Sequence, residues 1–267
     1  AQEQVDRWVA GRALHGLVIG VHLRDAATGL EVASHGADQL LFPASGAKLL
    51  TTAAALNSLG PDHRWRTCVR VDEGHVRLLG GGAPALLEDG LEALAVRAHE
   101  LLGDQALKGV TVHTFRHDSE RLAPGFDMKQ TDAGYRPRVG PAGSHYGSVD
   151  VEVIPHPDPG KPVTVRVTPS SSGISLQVDA RSVFERTEST PDLTIRARAV
   201  GKKRTEIQVT GAVLSTDKPV TSRKAVSDPD ALTGYLLRDA LGARGHETRG
   251  VDVQVLSSPI SIGDPGR

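Results

Sequence analysis

Cys68 is the only cysteine among 267 residues. That scarcity excludes an intrachain disulfide and any cysteine-rich zinc site. Aromatic residues make up only 3%, too few for a platform on which bases would stack. Neither sign of charge dominates: 31 Lys and Arg stand against 32 Asp and Glu, a formal net charge of -1. No global positive field is available to hold a nucleic-acid backbone. No run approaches the roughly 20 apolar residues that a membrane helix needs. Asparagine is represented by Asn57 alone. What is present is ordinary for a globular chain, with 39% apolar and 24% charged residues, and this argues against long disorder. The length suits one large domain or two small ones. The chain starts at Ala1, which fits either a mature chain after leader removal or a chain trimmed by design.

Periodicity changes several times along the chain. Leu17, Ile19, Val21 and Leu23 alternate as on a strand, the turn residues Ala26 to Gly29 follow, and Leu30 to Ala33 can return as a hairpin partner. From Ser45 the pattern becomes helical through Leu49, Leu50, Ala53 and Leu56, and Gly60-Pro61 ends it. Residues 67–79 read as a strand pair, Leu86 to Leu102 as an amphipathic helix, and Gly109 to Val112 as a strand. Residues 116–148 look irregular. Alternating runs at 163–167, 174–178, 193–197 and 207–209 predict a half-exposed antiparallel sheet, with Lys202-Lys203-Arg204 at a hairpin tip. Asp228-Pro229 opens a further helix, and 251–256 forms one more strand. Trp8 and Trp65 are expected as packing residues, and Cys68 as a core thiol.

The chemistry-bearing element is Ser45-Gly46-Ala47-Lys48, an SxxK pattern. Residues three apart share one face of a helix, so Lys48 can bring its amine to the Ser45 hydroxyl. A desolvated lysine gives up its proton more readily, and a neutral Lys48 could then act as general base toward a nucleophilic Ser45. The Ser45 amide, in the first turn, could serve an oxyanion hole. With 18 Ser and 8 Lys, chance alone yields about half an SxxK in a chain of this length. A second copy, Ser215 to Lys218, sits in a turn-like stretch before Pro219. The bland alternative makes Ser45 an N-cap and Lys48 a surface lysine.

The longer run Leu41-Phe42-Pro43-Ala44-Ser45-Gly46-Ala47-Lys48-Leu49-Leu50-Thr51-Thr52-Ala53-Ala54-Ala55-Leu56, followed by Leu59-Gly60-Pro61-Asp62, resembles the active-site helix of the class C low-molecular-mass penicillin-binding proteins. These are the D-alanyl-D-alanine carboxypeptidase/endopeptidases of the S13 type. The Leu78 to Pro84 loop and the Asp228 to Gly250 helix region also resemble that family. The resemblance implies an α+β, multidomain chain. It would hold the N-terminal part of a serine β-lactamase/transpeptidase-like domain with inserted β-rich accessory domains. Residues 1–66 would carry the SxxK helix, 67–225 the mostly β insertion and 226–267 the return segment. It further implies that Ser45 is acylated with Lys48 as its base, that no cofactor is needed, and that the substrates are peptidoglycan stem peptides ending in D-Ala-D-Ala. β-Lactam antibiotics would acylate the same serine, and the location would be periplasmic or otherwise extracytoplasmic.

Two family motifs are missing. With Asn57 as the sole asparagine no SxN element can be drawn, and no Lys-Thr-Gly or Lys-Ser-Gly occurs. Ala83 also stands where the resemblance leads one to expect Asp. The expectation is therefore an incomplete or shortened catalytic chain with little turnover by itself, and a Ser45–Leu59 helix that exposes an apolar face and promotes association. The rival reading is a non-catalytic wall-binding or scaffold protein on the same fold. His113, His117 and Asp118 offer no third convergent metal ligand. Neither GxSxG nor a phosphate-binding glycine loop is present.

Overall fold

The computed structural model describes residues 1–257 apart from 116, 119 and 126–130. It divides into two compact units, Ala1–Arg64 and Trp65–Arg267.

The first unit contains helix α1 (Gln2–Val9), strands β1 (Val21–Arg24) and β2 (Glu31–His35), and helix α2 (Ala47–Leu59). β1 and β2 form an antiparallel hairpin with Val21 opposite His35. Its turn is shaped by Asp25, whose carboxylate accepts from Ala27 N at 3.1 Å, Thr28 N at 2.7 Å and Thr28 Oγ1 at 2.7 Å. The Thr28 hydroxyl is the largest influence holding the Asp25 carboxyl below its ordinary range. On the outer edge of β2, the Gln2 side-chain amide donates to Ser34 O and accepts from Ser34 N, each at 2.9 Å. One side chain thus supplies the pairing a third strand would give. Strand β1 begins four residues later than the alternation of Leu17 to Leu23 suggests, because 17–20 find no ladder partner.

Val5 and Ala33 are the buried apolar residues of this unit among the described ones. None of α2 is buried, and Leu49 and Leu50 are 76% and 74% exposed. Gly60 closes α2 with φ +80, and its N–H donates to Leu56 O at 3.0 Å.

The second unit runs β3 (Cys68–Asp72), β4 (His75–Leu79), α3 (Glu88–Leu102), β5 (Gly109–His113), β6 (Ser148–Ile154), β7 (Thr164–Thr168), β8 (Ile174–Val183), β9 (Thr194–Val200), β10 (Arg204–Leu214), β11 (Val220–Ala225), α4 (Pro229–Ala243) and β12 (Asp252–Leu256). A four-stranded sheet has the order β12-β5-β4-β3. β4 and β5 are parallel, as the intervening helix α3 requires. β5 is buried at all five positions, the behaviour of a central strand. Val76, Leu78, Val110, Val112 and Val253 from the strands meet Ala95, Ala98 and Leu102 from α3 and Leu237 and Leu241 from α4 in one core. Each such buried Val or Leu stabilises the fold by about 1.5–3 kcal/mol.

The β-rich stretch forms two three-stranded sheets, β11-β6-β7 and β8-β10-β9. Their inner faces share a second core, with Val149, Val151 and Val153 from β6 and Ile207 and Val209 from β10. The expected single antiparallel sheet is corrected here: β8 and β10 are parallel, Ile174 to Val183 against Thr205 to Leu214. The β9–β10 hairpin does turn at Gly201 to Lys203, with Gly201 at φ +64.

Helix α4 joins the two cores. Its N-cap is Asp228, which accepts from Ala231 N at 3.0 Å, and Pro229 follows. Ala231, Tyr235, Leu237 and Leu241 enter the first core and Leu232 the second. Beside the cap lies Asp230, which is fully buried. It accepts from Ala142 N at 2.8 Å and pairs with Arg121 at 2.8 Å. Burial pushes its carboxyl upward, against the opposing pull of the Ala142 N–H and Arg121. A Cβ at Gly140 would overlap this carboxyl, so position 140 admits only glycine without rearrangement.

One further expectation is corrected. Cys68 is exposed, because β3 is an edge strand that turns Val69 and Val71 inward and Cys68, Arg70 and Asp72 outward. Trp8 is 56% exposed and Trp65 47%. In α1 it is Val5 that faces inward.

Candidate active site

The Phe42-Pro43-Ala44 run arrests the extended chain. Pro43 sits at φ -71, the value its ring imposes. Ala44 then adopts φ +43, a left-handed conformation that costs a non-glycine residue about 1–2 kcal/mol. The Gly46 N–H donates to Pro43 O at 2.7 Å and closes a 3-10 turn over Ala44–Gly46. Ser45 therefore stands on a tight, strained turn that feeds directly into α2, and the α-helix begins at Ala47, two residues later than the sequence pattern places it.

Lys48 lies in the first turn of α2, and its Nζ donates to Ser45 Oγ at 2.7 Å. Both side chains are exposed. The N-terminal end of the 13-residue α2 carries a partial positive charge and favours an anion forming at the serine. A hydroxyl, an amine within hydrogen-bond reach and a helix N-terminus together are the parts of an activated nucleophile.

The structure separates this SxxK from the other. Ser215 and Lys218 lie in the turn between β10 and β11. There Ser215 N donates to Val183 O, and no Ser215–Lys218 hydrogen bond forms among the described residues. His113 is buried on β5, whereas His117 follows it in a loop. Among the described residues no group of three or more His, Cys, Asp or Glu side chains is placed to hold a metal, and no helix is long and apolar enough to cross a membrane.

One feature escaped the sequence pattern. A cleft of about 1040 Å³ in the second unit gathers Arg121, Arg136, Arg138, Arg196, Arg198 and Lys202. These six cations come from segments some 60 residues apart in a chain of near-zero net charge.

The described fold is similar to that of a penicillin-binding protein. It resembles penicillin binding protein 4 (dacB) from Haemophilus influenzae with a TM-score of 0.68 at 18% identity, over 90% of this chain and 54% of that one. The same protein complexed with a novel β-lactam gives a TM-score of 0.60 at 17% identity, over 90% and 52%. At the sequence level, residues 1–261 match the D-Ala-D-Ala carboxypeptidase 3 (S13) family, and the chain belongs to that family. A D-alanyl-D-alanine carboxypeptidase from an Actinomadura species is 31% identical over 264 residues, covering 93% of this chain and 48% of that one. Carboxypeptidase DacB from Mycolicibacterium smegmatis is 36% identical over 132 residues, covering 45% and 28%. The chain thus spans half or less of the length of these curated relatives.

Proposed function

We propose that this chain carries the nucleophilic half of a serine-type D-Ala-D-Ala carboxypeptidase/endopeptidase, with Ser45 acylated and Lys48 as its base. The observation that carries the reading is the 2.7 Å Lys48 Nζ–Ser45 Oγ contact on a strained turn. In its amine form Lys48 takes the hydroxyl proton as Ser45 Oγ attacks the carbonyl of the penultimate D-Ala. The bond to the terminal D-Ala nitrogen then breaks, and the proton passes to that leaving amine. Water subsequently attacks the ester, releasing the shortened peptide and restoring Ser45.

β-Lactams enter by the same attack, with the ring amide in place of the peptide bond. The substrate class, wall stem peptides, places the reaction outside the cytoplasm. Neither SxN nor Lys-Thr-Gly occurs in these residues, so leaving-group protonation and carboxylate capture by those elements are lacking. Turnover by this chain alone is accordingly slow. Free D-alanine released from a peptide ending in D-Ala-D-Ala tests the reading. Slow release that vanishes in Ser45→Ala is expected. Release that survives Ser45→Ala, or no release at all, contradicts it.

A further inference from the structure

The cationic cleft is lined by residues of the second unit, whereas Ser45 and Lys48 belong to the first. Among the described residues the cleft lining holds two carboxylates, Asp132 and Asp228, and neither forms an ion pair with Arg138, Arg196, Arg198 or Lys202. Asp132 accepts from the Ala197 N–H at 2.7 Å, capping the open edge of β9, and its other oxygen pairs with Lys224 at 3.2 Å. Asp228 is the N-cap of α4. Arg121 is matched by buried Asp230.

Arg138, Arg196, Arg198 and Lys202 remain exposed, with no ion pair among the described residues. Arg196 and Arg198 stand two apart on β9 and so share one face. Glu206 is the cross-strand neighbour of Arg198, but it accepts from Gln208 Nε2 at 2.7 Å and makes no ion pair with that arginine. Arg196 and Arg198 are like charges held in a row, and the one carboxylate across from them, Glu206, offsets only part of their repulsion. A multivalent anion relieves that repulsion, and guanidinium forks suit planar or tetrahedral oxyanions.

The size of the cleft narrows the ligand. At about 1040 Å³ it lies just above the range of small-molecule sites, about 300–1,000 Å³, and exceeds the needs of one small anion. Among the described residues its lining holds no aromatic side chain, so they offer no stacking surface of the kind single-stranded nucleic acid uses. We propose that this cleft binds a non-nucleic polyanion, whose repeated oxyanion groups engage Arg138, Arg196, Arg198 and Lys202. Phosphodiester and carboxylate polymers share that chemistry.

The test is direct binding of the whole chain, by titration at low and at physiological salt. Three probes serve: long-chain inorganic polyphosphate, poly-L-glutamate and single-stranded poly-dT. Binding of polyphosphate or polyglutamate is expected, whichever is the tighter naming the phosphate or the carboxylate source, and it should weaken with salt as counterions compete. Arg196→Gln/Arg198→Gln should weaken it about tenfold and flatten the salt dependence by roughly one contact per charge removed. Arg138→Gln/Lys202→Gln tests the same cleft from two other segments, should the β9 pair disturb folding. Arg97→Gln/Arg166→Gln removes the same net charge from exposed positions outside the cleft and should leave binding within twofold. Ser45→Ala should bind as the wild type does, which keeps this result separate from the active-site reading. Equal losses in the control pair, equal affinity for poly-dT, or no binding to either polyanion would overturn the proposal.

Discussion

Lys48 Nζ and Ser45 Oγ lie 2.7 Å apart across the junction of a 3-10 turn and helix α2. The contact joins a residue held by local strain, after Ala44 at φ +43, to one held by regular helical geometry. A pair set up by adjacent elements needs no long-range packing to form. It therefore persists although α2 buries none of its residues.

Replacing Lys48 should separate chemistry from structure. Lys48 is exposed, so Lys48→Ala should leave the melting temperature nearly unchanged. The acylation rate of Ser45 should fall by about 10²–10⁴, the usual worth of a positioned base. Lys48→Arg keeps the charge but not the ability to accept a proton, and should not restore the rate. Stopped-flow or quenched mass measurements with a β-lactam check both.

The apolar face of α2 should drive association. Leu49 and Leu50 are three-quarters exposed, and Phe42 nearby is fully exposed. Leu49→Gln/Leu50→Gln should reduce concentration-dependent self-association in sedimentation velocity, without lowering the stability of the second unit. Unchanged association would place the sticky surface elsewhere.

The buried Asp230 should matter far more to stability than the surface pairs. Asp230→Ala strands Arg121 and frees the Ala142 N–H, and should cost about 3–5 kcal/mol. Gly140→Ala should cost about 1–3 kcal/mol by overpacking against the same carboxyl. Chemical denaturation of the two variants checks these values.

Asp150 predicts part of the acid limb. Arg223 grips its carboxylate through two hydrogen bonds, at 2.8 and 2.9 Å, and holds it below the ordinary range. The folded chain then binds fewer protons than the unfolded one around the unfolded value of about 3.9. The stabilisation is complete above that value and is lost as pH falls through the depressed folded one. Both side chains are more than one-third exposed, so solvent screening limits the effect to below about 1 kcal/mol. Asp150→Asn should lower stability slightly at pH 7 and make the loss toward pH 3 shallower. A steeper acid loss in the variant would contradict the assignment.

Local chemistry made much of this legible from the residues. The Gly60 helix end, the Asp228-Pro229 start, the β3–β4 pair and the Lys202 hairpin tip each rest on signals within a few positions. The Ser45–Lys48 contact is of the same local kind. What was not legible depends on distant partners. Alternation along β8 and β10 shows which face is apolar but not that the strands run parallel. An apolar-looking Cys68 is exposed because β3 lies at a sheet edge, and edge position is a tertiary fact. The cationic cleft is invisible for the same reason, since Arg121, Arg136 and Arg138 converge with the arginines of β9 only in the folded chain.

The most direct test of the central claim is the intact mass of the chain after incubation with benzylpenicillin, beside Ser45→Ala. The account predicts a single covalent adduct that maps to Ser45 and is absent from the variant. An adduct that persists in Ser45→Ala, or none in the wild type over hours at millimolar antibiotic, would contradict the claim that Ser45 and Lys48 form an activated pair in these residues.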